Sequence, residues 1–302
     1  MSLRFPLVCP PALKPSDRVA VVAPAGACRA DALAPGLAVL SAFGLVPVRS
    51  EVLYQRHRYL AGEDEVRARA LMAAFEDPSI AGIVCARGGY GSLRLLCRLD
   101  FDRIAAHPKR LVGFSDISAL LWAVWDRAGL VCFHGPTVAS LAKADSATVN
   151  AFHAALMAGP EITVALDEPR FLTAGDARGH LCGGNLTTLC HLLGTEFAPR
   201  FDGGIVVLED RGEAPYRIDR MLTQMRLAGV LDGVRAVVLG DFIDCGAKAD
   251  LWPVFEDVLA DLGVPVAAGC GVGHGARNLA LPLGLPARLD AARAILEVTR
   301  GV

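Results

Sequence analysis

The stretch that indicates the fold is Leu111-Val112-Gly113-Phe114-Ser115-Asp116-Ile117-Ser118-Ala119-Leu120-Leu121. An apolar run leads directly into Ser115, and a helical apolar pattern follows without an intervening loop. A strand, a serine and a helix in this order lift the hydroxyl out of a sheet, next to the unpaired N–H groups and positive dipole of a helix N-terminus. Two interpretations follow. Ser115 either caps the helix, as many serines do, or acts as a nucleophile beside an oxyanion site.

Outward from Ser115, the first half of the chain alternates between strands and helices. Buried apolar runs predict strands at 18–23, 46–49, 80–86, 110–114 and 130–133. Helical spacing predicts helices at 31–43, 62–75, 92–99 and 117–127. Such alternation is typical of α/β proteins, in which a parallel sheet carries helices on both faces.

The second half mixes elements without regular alternation. Helices are expected at 185–193, 218–227 and 251–262, and strands at 204–208, 234–239, 264–268 and 294–299. Residues 159–177 contain proline, glycine and charges around one short β-like run, which is typical of a connection between domains. The predicted organisation is a first domain at 1–155, a linker at 156–178 and a C-terminal domain at 179–302.

Composition excludes several function classes. The 302 residues carry 30 Lys and Arg against 32 Asp and Glu, a net charge of -2, so a basic face for nucleic acid or anionic membrane is not expected. The mean hydropathy is +0.40, yet no apolar run approaches the ~18 residues of a membrane span. Prolines interrupt the N-terminus before a signal-peptide core forms, and the nine cysteines form no CxxC pair. A cytoplasmic protein with reduced thiols is expected.

A glycine-rich segment follows the strand at 80–86: Arg87-Gly88-Gly89-Tyr90-Gly91-Ser92. Its glycines allow a sharp turn and close approach of the backbone to a ligand. It lacks the spacing and the acidic partner of a dinucleotide fingerprint. Three interpretations stay open: a phosphate loop, a tight turn without ligand, and an oxyanion cradle beside Ser115, since the carboxyl ends of parallel strands share one edge.

Two segments of the second half supply an acid and a histidine. Glu209 and Asp210 end the strand at 204–208, and His274 lies between glycines in Gly271-Val272-Gly273-His274-Gly275. A strand-end acid is often only solvated and a lone loop histidine is often inert. A serine, an acid and a histidine are nevertheless the three roles of nucleophile, orienting group and base.

The chain resembles the L,D-carboxypeptidases of murein recycling, also called muramoyltetrapeptide carboxypeptidases, over nearly its whole length. The motifs that carry the resemblance are Ala23-Pro24-Ala25-Gly26, Arg87-Gly88-Gly89-Tyr90-Gly91, Gly113-Phe114-Ser115-Asp116, His134-Gly135-Pro136, Gly183-Gly184-Asn185-Leu186, Leu208-Glu209-Asp210, Tyr216-Arg217-Ile218-Asp219-Arg220 and Gly273-His274-Gly275.

The resemblance implies a flavodoxin-like N-terminal domain, a smaller mixed α/β C-terminal domain, no metal or cofactor, and a homodimer. It implies that Ser115 is the nucleophile, Glu209 the orienting acid and His274 the base. The backbone N–H groups of Gly89 and Asp116 are implied to form the oxyanion hole. The side chains of Asp116 and Asp210 match no catalytic position.

The expected function is that of a serine carboxypeptidase that removes terminal D-alanine from a murein tetrapeptide or muropeptide. Arg87 is a candidate for binding the terminal carboxylate, or a structural residue. One alternative is a self-immunity peptidase for peptide–nucleotide antibiotics, which is expected to need an aromatic surface for the base. The three tryptophans, Trp122, Trp125 and Trp252, lie outside the motifs, so murein is favoured. Another alternative is a non-catalytic protein whose glycine loop holds phosphate.

Overall fold

A computed structural model describes residues 4–300. The chain divides into two compact units, of which one ends at Gly159 and the other begins at Pro160. Each unit has its own sheet and its own buried apolar core.

In the N-terminal unit, buried apolar runs form parallel strands. They are β1 (Arg18–Val22), β2 (Val46–Arg49), β3 (Ile80–Cys85), β4 (Arg110–Gly113) and β5 (Cys132–His134). The strands lie in the order β2-β1-β3-β4-β5, and every neighbouring pair is parallel. This is the flavodoxin-like order, which places a topological switch point between β1 and β3. The predicted fold class is confirmed.

The first four helices of this unit lie between its strands, and the last two follow β5. They are α1 (Ala30–Ala42), α2 (Asp64–Glu76), α3 (Phe101–Ala106), α4 (Ser118–Ala128), α5 (Val138–Leu141) and α6 (Ser146–Met157). Short 3₁₀ helices occupy Glu51–Tyr54, Leu93–Arg98 and Ser115–Ile117. The segment predicted as a helix at 92–99 is thus a 3₁₀ turn, and α3 was not expected, because its six residues are too few to show a helical period. Asp100 caps α3 by accepting a hydrogen bond from the N–H of Arg103.

The C-terminal unit contains an eight-stranded mixed sheet. Its strands are β6 (Ile162–Ala165), β7 (Arg170–Thr173), β8 (Asp176–Asn185), β9 (Gly204–Arg211), β10 (Ala236–Ile243), β11 (Val266–Ala268), β13 (Pro286–Asp290) and β14 (Ile295–Val298). A short strand, β12 (Leu281–Leu283), does not belong to this eight-stranded sheet. The order is β6-β14-β13-β8-β9-β10-β11-β7. Parallel pairing joins β8, β9, β10 and β11, and the outer strands are antiparallel. The helices are α7 (Leu186–Cys190), α8 (Pro215–Leu227) and α9 (Lys248–Leu259), followed by a 3₁₀ turn at Ala260–Leu262.

The stretch predicted as a linker, 156–178, differs in the structure. It holds the end of α6, the strands β6 and β7, and the beginning of β8. β6 pairs with β14 and β7 with β11, so most of this stretch belongs to the second sheet. Both strands are short and largely half-buried or exposed, and they therefore lack the continuous apolar run by which buried parallel strands are recognised. Within residues 4–300, no helix combines the length and apolar character needed to cross a bilayer.

Candidate active site

Ser115 has a left-handed backbone conformation, with φ of +65°, and lies two residues after the end of β4. Non-glycine residues rarely adopt this region, and doing so costs on the order of 1–3 kcal/mol. The residue in the cap position of the 3₁₀ turn is Phe114, and Ser115 is the first residue inside it. A capping residue needs extended backbone, so the cap interpretation does not fit. The strained turn between strand and helix is the geometry that exposes a nucleophilic hydroxyl.

Two glycines make room for this turn. A Cβ on Gly88 would lie 2.8 Å from the Cβ and 3.0 Å from the Oγ of Ser115. A Cβ on Gly113 would lie 2.7 Å from the Cγ2 of Ile117. These distances are shorter than carbon atoms tolerate, so glycine at both positions is what lets the glycine-rich loop and the helix start close around the serine.

The side chain of Asp116 ties the serine turn to the glycine-rich loop. Its Oδ2 accepts a hydrogen bond from the N–H of Ser92 at 2.8 Å, and its backbone carbonyl accepts one from the Ser92 hydroxyl. Burial raises the pKa of this carboxyl, while the bonds from Ser92 oppose the rise. The side chain is therefore structural, consistent with the expectation that it has no catalytic role. The expected part of the Asp116 backbone N–H in an oxyanion hole stays a prediction.

Buried Arg67 also holds the glycine-rich loop in place. The buried guanidinium of Arg67 donates to the carbonyls of Gly62, Pro24 and Gly91 and is paired with Asp64. The loop leads into the short 3₁₀ helix Leu93–Arg98 rather than an α-helix. Because phosphate binding relies on the aligned N–H groups and dipole of an α-helix, the phosphate-loop interpretation loses its main support.

In the C-terminal unit, Glu209 and His274 lie together. Glu209 is near the end of β9 and has no exposed surface, and its Oε2 is 2.7 Å from the Nδ1 of His274. The His274 side chain is 15% exposed, so the ring reaches solvent while the carboxylate behind it does not. A carboxylate bonded to Nδ1 holds the hydrogen there and leaves Nε2 as the basic nitrogen. The two residues that the sequence assigned as acid and histidine thus form a hydrogen-bonded pair.

Opposing effects act on the Glu209 carboxyl. Burial is the largest and raises its pKa, the hydrogen bonds from His274 and Asn185 lower it, and the neighbouring Asp210 raises it. The net direction is upward, which means that the ionised form is held at a cost to folding stability. A buried carboxyl with a raised pKa, beside a partly exposed histidine, is typical of a functional site.

Gly273 is required for the Glu209–His274 pair. Its φ is +120°, and a Cβ there would lie 2.6 Å from Oε2 and 2.8 Å from the Cβ of Glu209. Its N–H donates to the Oδ1 of Asn278 at 3.0 Å, which fixes the loop. Glycine at position 273 is thus explained both by its close packing on Glu209 and by its positive φ.

Gly273→Ala is expected to lower the free energy of unfolding by about 2–4 kcal/mol, since strain at positive φ adds to overpacking against Glu209. Gly263→Ala is the matched control, because Gly263 also has positive φ, at +69°, and nothing lies within 4 Å of its added Cβ. It should lose only about 1 kcal/mol. Urea unfolding measures both, and equal losses would contradict the packing argument.

Asp210 and Asn185 serve the framework around the pair. Asp210 is buried and accepts hydrogen bonds from the N–H and hydroxyl of Thr187, the amide of Asn185 and the N–H of Arg211. Asn185 caps α7 through the N–H of Thr188 and faces Glu209 across the β8–β9 register. The expectation that the Asp210 side chain is not catalytic agrees with these contacts. In the sequence, Asn185 was notable only as part of the motif Gly183-Gly184-Asn185-Leu186. In the structure it supports Glu209 and caps α7.

Asp241 was missed by the sequence analysis. It lies on β10, and a Cβ on Gly275 would lie 1.9 Å from its Oδ2, so the carboxylate packs against the loop of His274. Burial raises its pKa, whereas Lys248 and Arg277 lower it. In the sequence, the signal for Asp241 was its position after Gly240 near the end of a strand. Gly240 has no side chain, which leaves room for Val272 and Glu209.

Arg87 holds the loops of the N-terminal unit together, because its guanidinium donates to the carbonyl of Ala27 at 3.0 Å. This contact supports the structural alternative of the two that the sequence left open. Among residues 4–300, no group of three or more His, Cys, Asp and Glu side chains is arranged to hold a metal ion. All nine cysteines are free thiols.

Comparison with known proteins places the chain among the carboxypeptidases. A model of the LD-carboxypeptidase N-terminal domain matches residues 19–135, and a model of the LD-carboxypeptidase C-terminal domain matches residues 178–289. The chain belongs to the LD-carboxypeptidase family.

Individual relatives agree with this assignment. A putative carboxypeptidase of Streptomyces coelicolor is 44% identical, with 97% of each chain covered. The murein tetrapeptide carboxypeptidase of Pseudomonas aeruginosa is 37% identical, covering 91% of this chain and 94% of that protein.

Solved structures show the same fold. The muramoyltetrapeptide carboxypeptidase from Oxalobacter formigenes matches with a TM-score of 0.84 and 32% identity, over 94% of this chain and 99% of that one. The microcin C7 self-immunity protein MccF matches with a TM-score of 0.89 and 26% identity, over 97% and 98%. A microcin C7 self-immunity protein of this name from Escherichia coli is 28% identical over 84% of each chain.

Proposed function

We propose that this chain is a serine-type carboxypeptidase that releases the terminal D-alanine of murein-derived tetrapeptides. The observation that carries the proposal is the buried Glu209 bonded to Nδ1 of the partly exposed His274. The strained Ser115 at the end of β4 supports it from the N-terminal unit. Relatives that are named for murein peptides support the substrate, at higher identity than the self-immunity protein.

In the proposed reaction, Ser115 is the nucleophile. His274 Nε2 takes the proton of the Ser115 hydroxyl as Oγ bonds to the carbonyl carbon of the residue before D-alanine. The carbonyl oxygen becomes an oxyanion, stabilised by the backbone N–H groups of Gly89 and Asp116. Glu209 holds the ring and stabilises the imidazolium. The C–N bond then breaks, and His274 returns the proton to the amine of the leaving D-alanine.

The second half of the reaction regenerates the enzyme. His274 takes a proton from water as the water oxygen bonds to the acyl carbon of the ester on Ser115. The ester bond breaks, Oγ recovers the proton, and the tripeptide leaves with a new carboxylate. No metal and no cofactor takes part in these steps.

We extend the proposal to a cytoplasmic homodimer. The free cysteines are those of a protein that works in a reducing compartment. On α8, Leu227 is 86% exposed and Tyr216 is 57% exposed, so the outer face of this helix offers apolar surface to a second copy.

The alternative of a self-immunity peptidase for peptide–nucleotide antibiotics shares this fold and chemistry. It differs in the group that follows the scissile bond. We favour murein because the tetrapeptide carboxypeptidases are the nearer relatives of the two groups. The alternative of a non-catalytic phosphate-binding protein has no support from the 3₁₀ helix after the glycine loop.

The test is incubation of the purified protein with L-Ala-γ-D-Glu-diaminopimelate-D-Ala and quantification of free D-alanine. Steady release is expected, and it should be unchanged after dialysis against a strong chelator, because the steps above use only side chains and backbone. Loss of activity that Zn²⁺ restores would overturn the serine mechanism. Release only from an aminoacyl-nucleotide conjugate would favour the self-immunity alternative.

A further inference from the structure

Two tyrosines form an exposed aromatic pair on the N-terminal unit. Tyr59 and Tyr90 are 57% and 44% exposed, and their ring centroids are 5.7 Å apart with 57° between the ring planes. Neither residue has a part in the reaction described above. Tyrosine is enriched at binding interfaces, because its ring offers apolar area and its hydroxyl offers a hydrogen-bonding group.

The pair is close to Ser115. Tyr90 follows two residues after Gly88, which packs directly on the serine, and two residues of chain span at most about 7 Å. A tripeptide in extended conformation spans about 10 Å. The aromatic pair therefore lies within reach of the amino end of a tripeptide acyl group held at Ser115.

The position of Tyr59 is fixed by its turn. His57 and Leu60 exchange two backbone hydrogen bonds of 2.9 Å, and Arg58 takes a left-handed φ of +57° between them. The carbonyl of Tyr59 accepts a hydrogen bond of 3.0 Å from the N–H of Ala27. The tyrosine is thus presented at the tip of a tight turn anchored to the loop after β1.

That loop is in turn bonded to the glycine-rich loop after β3. The N–H of Gly26 donates to the carbonyl of Gly88 at 3.1 Å, and Arg87 donates to the carbonyl of Ala27. The two loops follow β1 and β3, the strands that flank the topological switch point, where α/β sheets of this order bind their ligands. The aromatic pair is therefore preorganised relative to Ser115, which reduces the entropy lost on binding.

We propose that Tyr59 and Tyr90 form a subsite for the sugar ring carried at the amino end of a murein peptide. The proposal rests on the proposed function, and it names the sugar-linked peptide as the preferred substrate. The leaving D-alanine offers only a methyl group, too small to cover two rings, so the pair serves the acyl side. A pyranose presents C–H groups from a puckered ring, which fits a wedge of two rings tilted by 57°. A flat nucleobase stacks best on rings that are parallel.

The experiment compares kcat/KM for the free tetrapeptide and for the same peptide carrying a muramoyl sugar. Tyr59→Ala and Tyr90→Ala are each expected to lower kcat/KM for the sugar-linked peptide by roughly 5- to 10-fold, through KM. The free tetrapeptide should change by less than about twofold. Tyr59→Phe and Tyr90→Phe keep the aromatic rings, so they should retain the wild-type preference for the sugar-linked peptide over the free tetrapeptide. Tyr54→Ala is the matched control, since Tyr54 is also exposed but lies outside the pair.

Several results would overturn the subsite. Equal losses on both substrates would assign the tyrosines to the loop framework, and a larger loss on a nucleotide-linked peptide would assign them to a base. No loss on either substrate would leave the pair without a ligand. If the wild-type protein releases D-alanine from neither peptide, the proposed function fails separately. Calorimetry then measures the affinity of both peptides for the wild-type protein and for Tyr59→Ala. If the sugar-linked peptide binds both proteins with the same affinity, the sugar subsite is refuted.

Discussion

Replacing Ser115 by alanine is expected to lower kcat on a murein tetrapeptide by about 10⁴-fold or more and to leave the fold intact. The reason is that the hydroxyl supplies the bond that forms in the first step, and no neighbouring group replaces it. Alanine keeps a Cβ at the same left-handed φ, so the strain of the turn is unchanged. D-alanine release and circular dichroism are the two measurements.

Two further variants make this result specific. Ser115→Gly should be equally inactive but more stable than Ser115→Ala by about 1 kcal/mol, because glycine adopts positive φ without strain. Ser140→Ala removes a hydroxyl that donates to the carbonyl of Thr137 and accepts from the Thr137 hydroxyl, and its turnover should stay near that of the wild type. A serine-reactive phosphonate should label the wild-type protein and not the Ser115 variants. A folded Ser115→Ala protein with near-normal turnover would exclude this serine as the nucleophile.

The sequence predicted the sheet of the N-terminal unit because its signals are local. Strands such as Ile80–Cys85 are buried on both faces, so their sequences are nearly continuous runs of apolar residues. Glycines or prolines separate these runs from the helices. The parallel pairing of these strands also agrees with the alternation of strand and helix along the chain. What the sequence could not show is the left-handed φ of Ser115, because any serine before a helix has the same appearance in a sequence.

The C-terminal unit was predicted less well for a physical reason. Its outer strands pair with partners that are distant in the chain, as β6 does with β14, and such pairing leaves no local signal. The histidine and acid were identified as residues, but their contact depends on Gly273 packing against the Glu209 side chain 64 positions earlier. Asp241 was overlooked because a strand-end acid is common, and only its contact with Gly275 makes it notable.

Glu209→Gln is expected to lower kcat by about 10³- to 10⁴-fold while the serine stays in place. Glutamine occupies the same volume and can still bond to the ring, but it carries no charge. The imidazolium that forms in the transition state then loses its partner, and the ring is no longer held to the tautomer with hydrogen on Nδ1. Turnover of D-alanine release against pH is the measurement, over a range in which the wild-type protein stays folded.

The stability of this variant should move in the opposite direction from its activity. Burial raises the pKa of Glu209 above its unfolded value, so ionisation of this carboxyl opposes folding. The opposition is complete above the folded-state pKa and is lost as the pH falls from there to the unfolded value. Glu209→Gln should therefore be at least as stable as the wild type at pH 7, and the two should converge in acid.

Asp210→Asn is the matched control for Glu209→Gln, since it changes the adjacent residue in the same chemical way. Asp210 accepts four hydrogen bonds from its neighbours, and an amide group cannot accept them all. This variant should lose roughly 2–3 kcal/mol of stability, with a much smaller loss of kcat. A loss of activity in Glu209→Gln and a loss of stability in Asp210→Asn would distinguish the two carboxylates. Glu209 would then act on the reaction through His274, and Asp210 would hold the surrounding framework. If Glu209→Gln were active and Asp210→Asn inactive but stable, the roles assigned to the two acids would have to be exchanged.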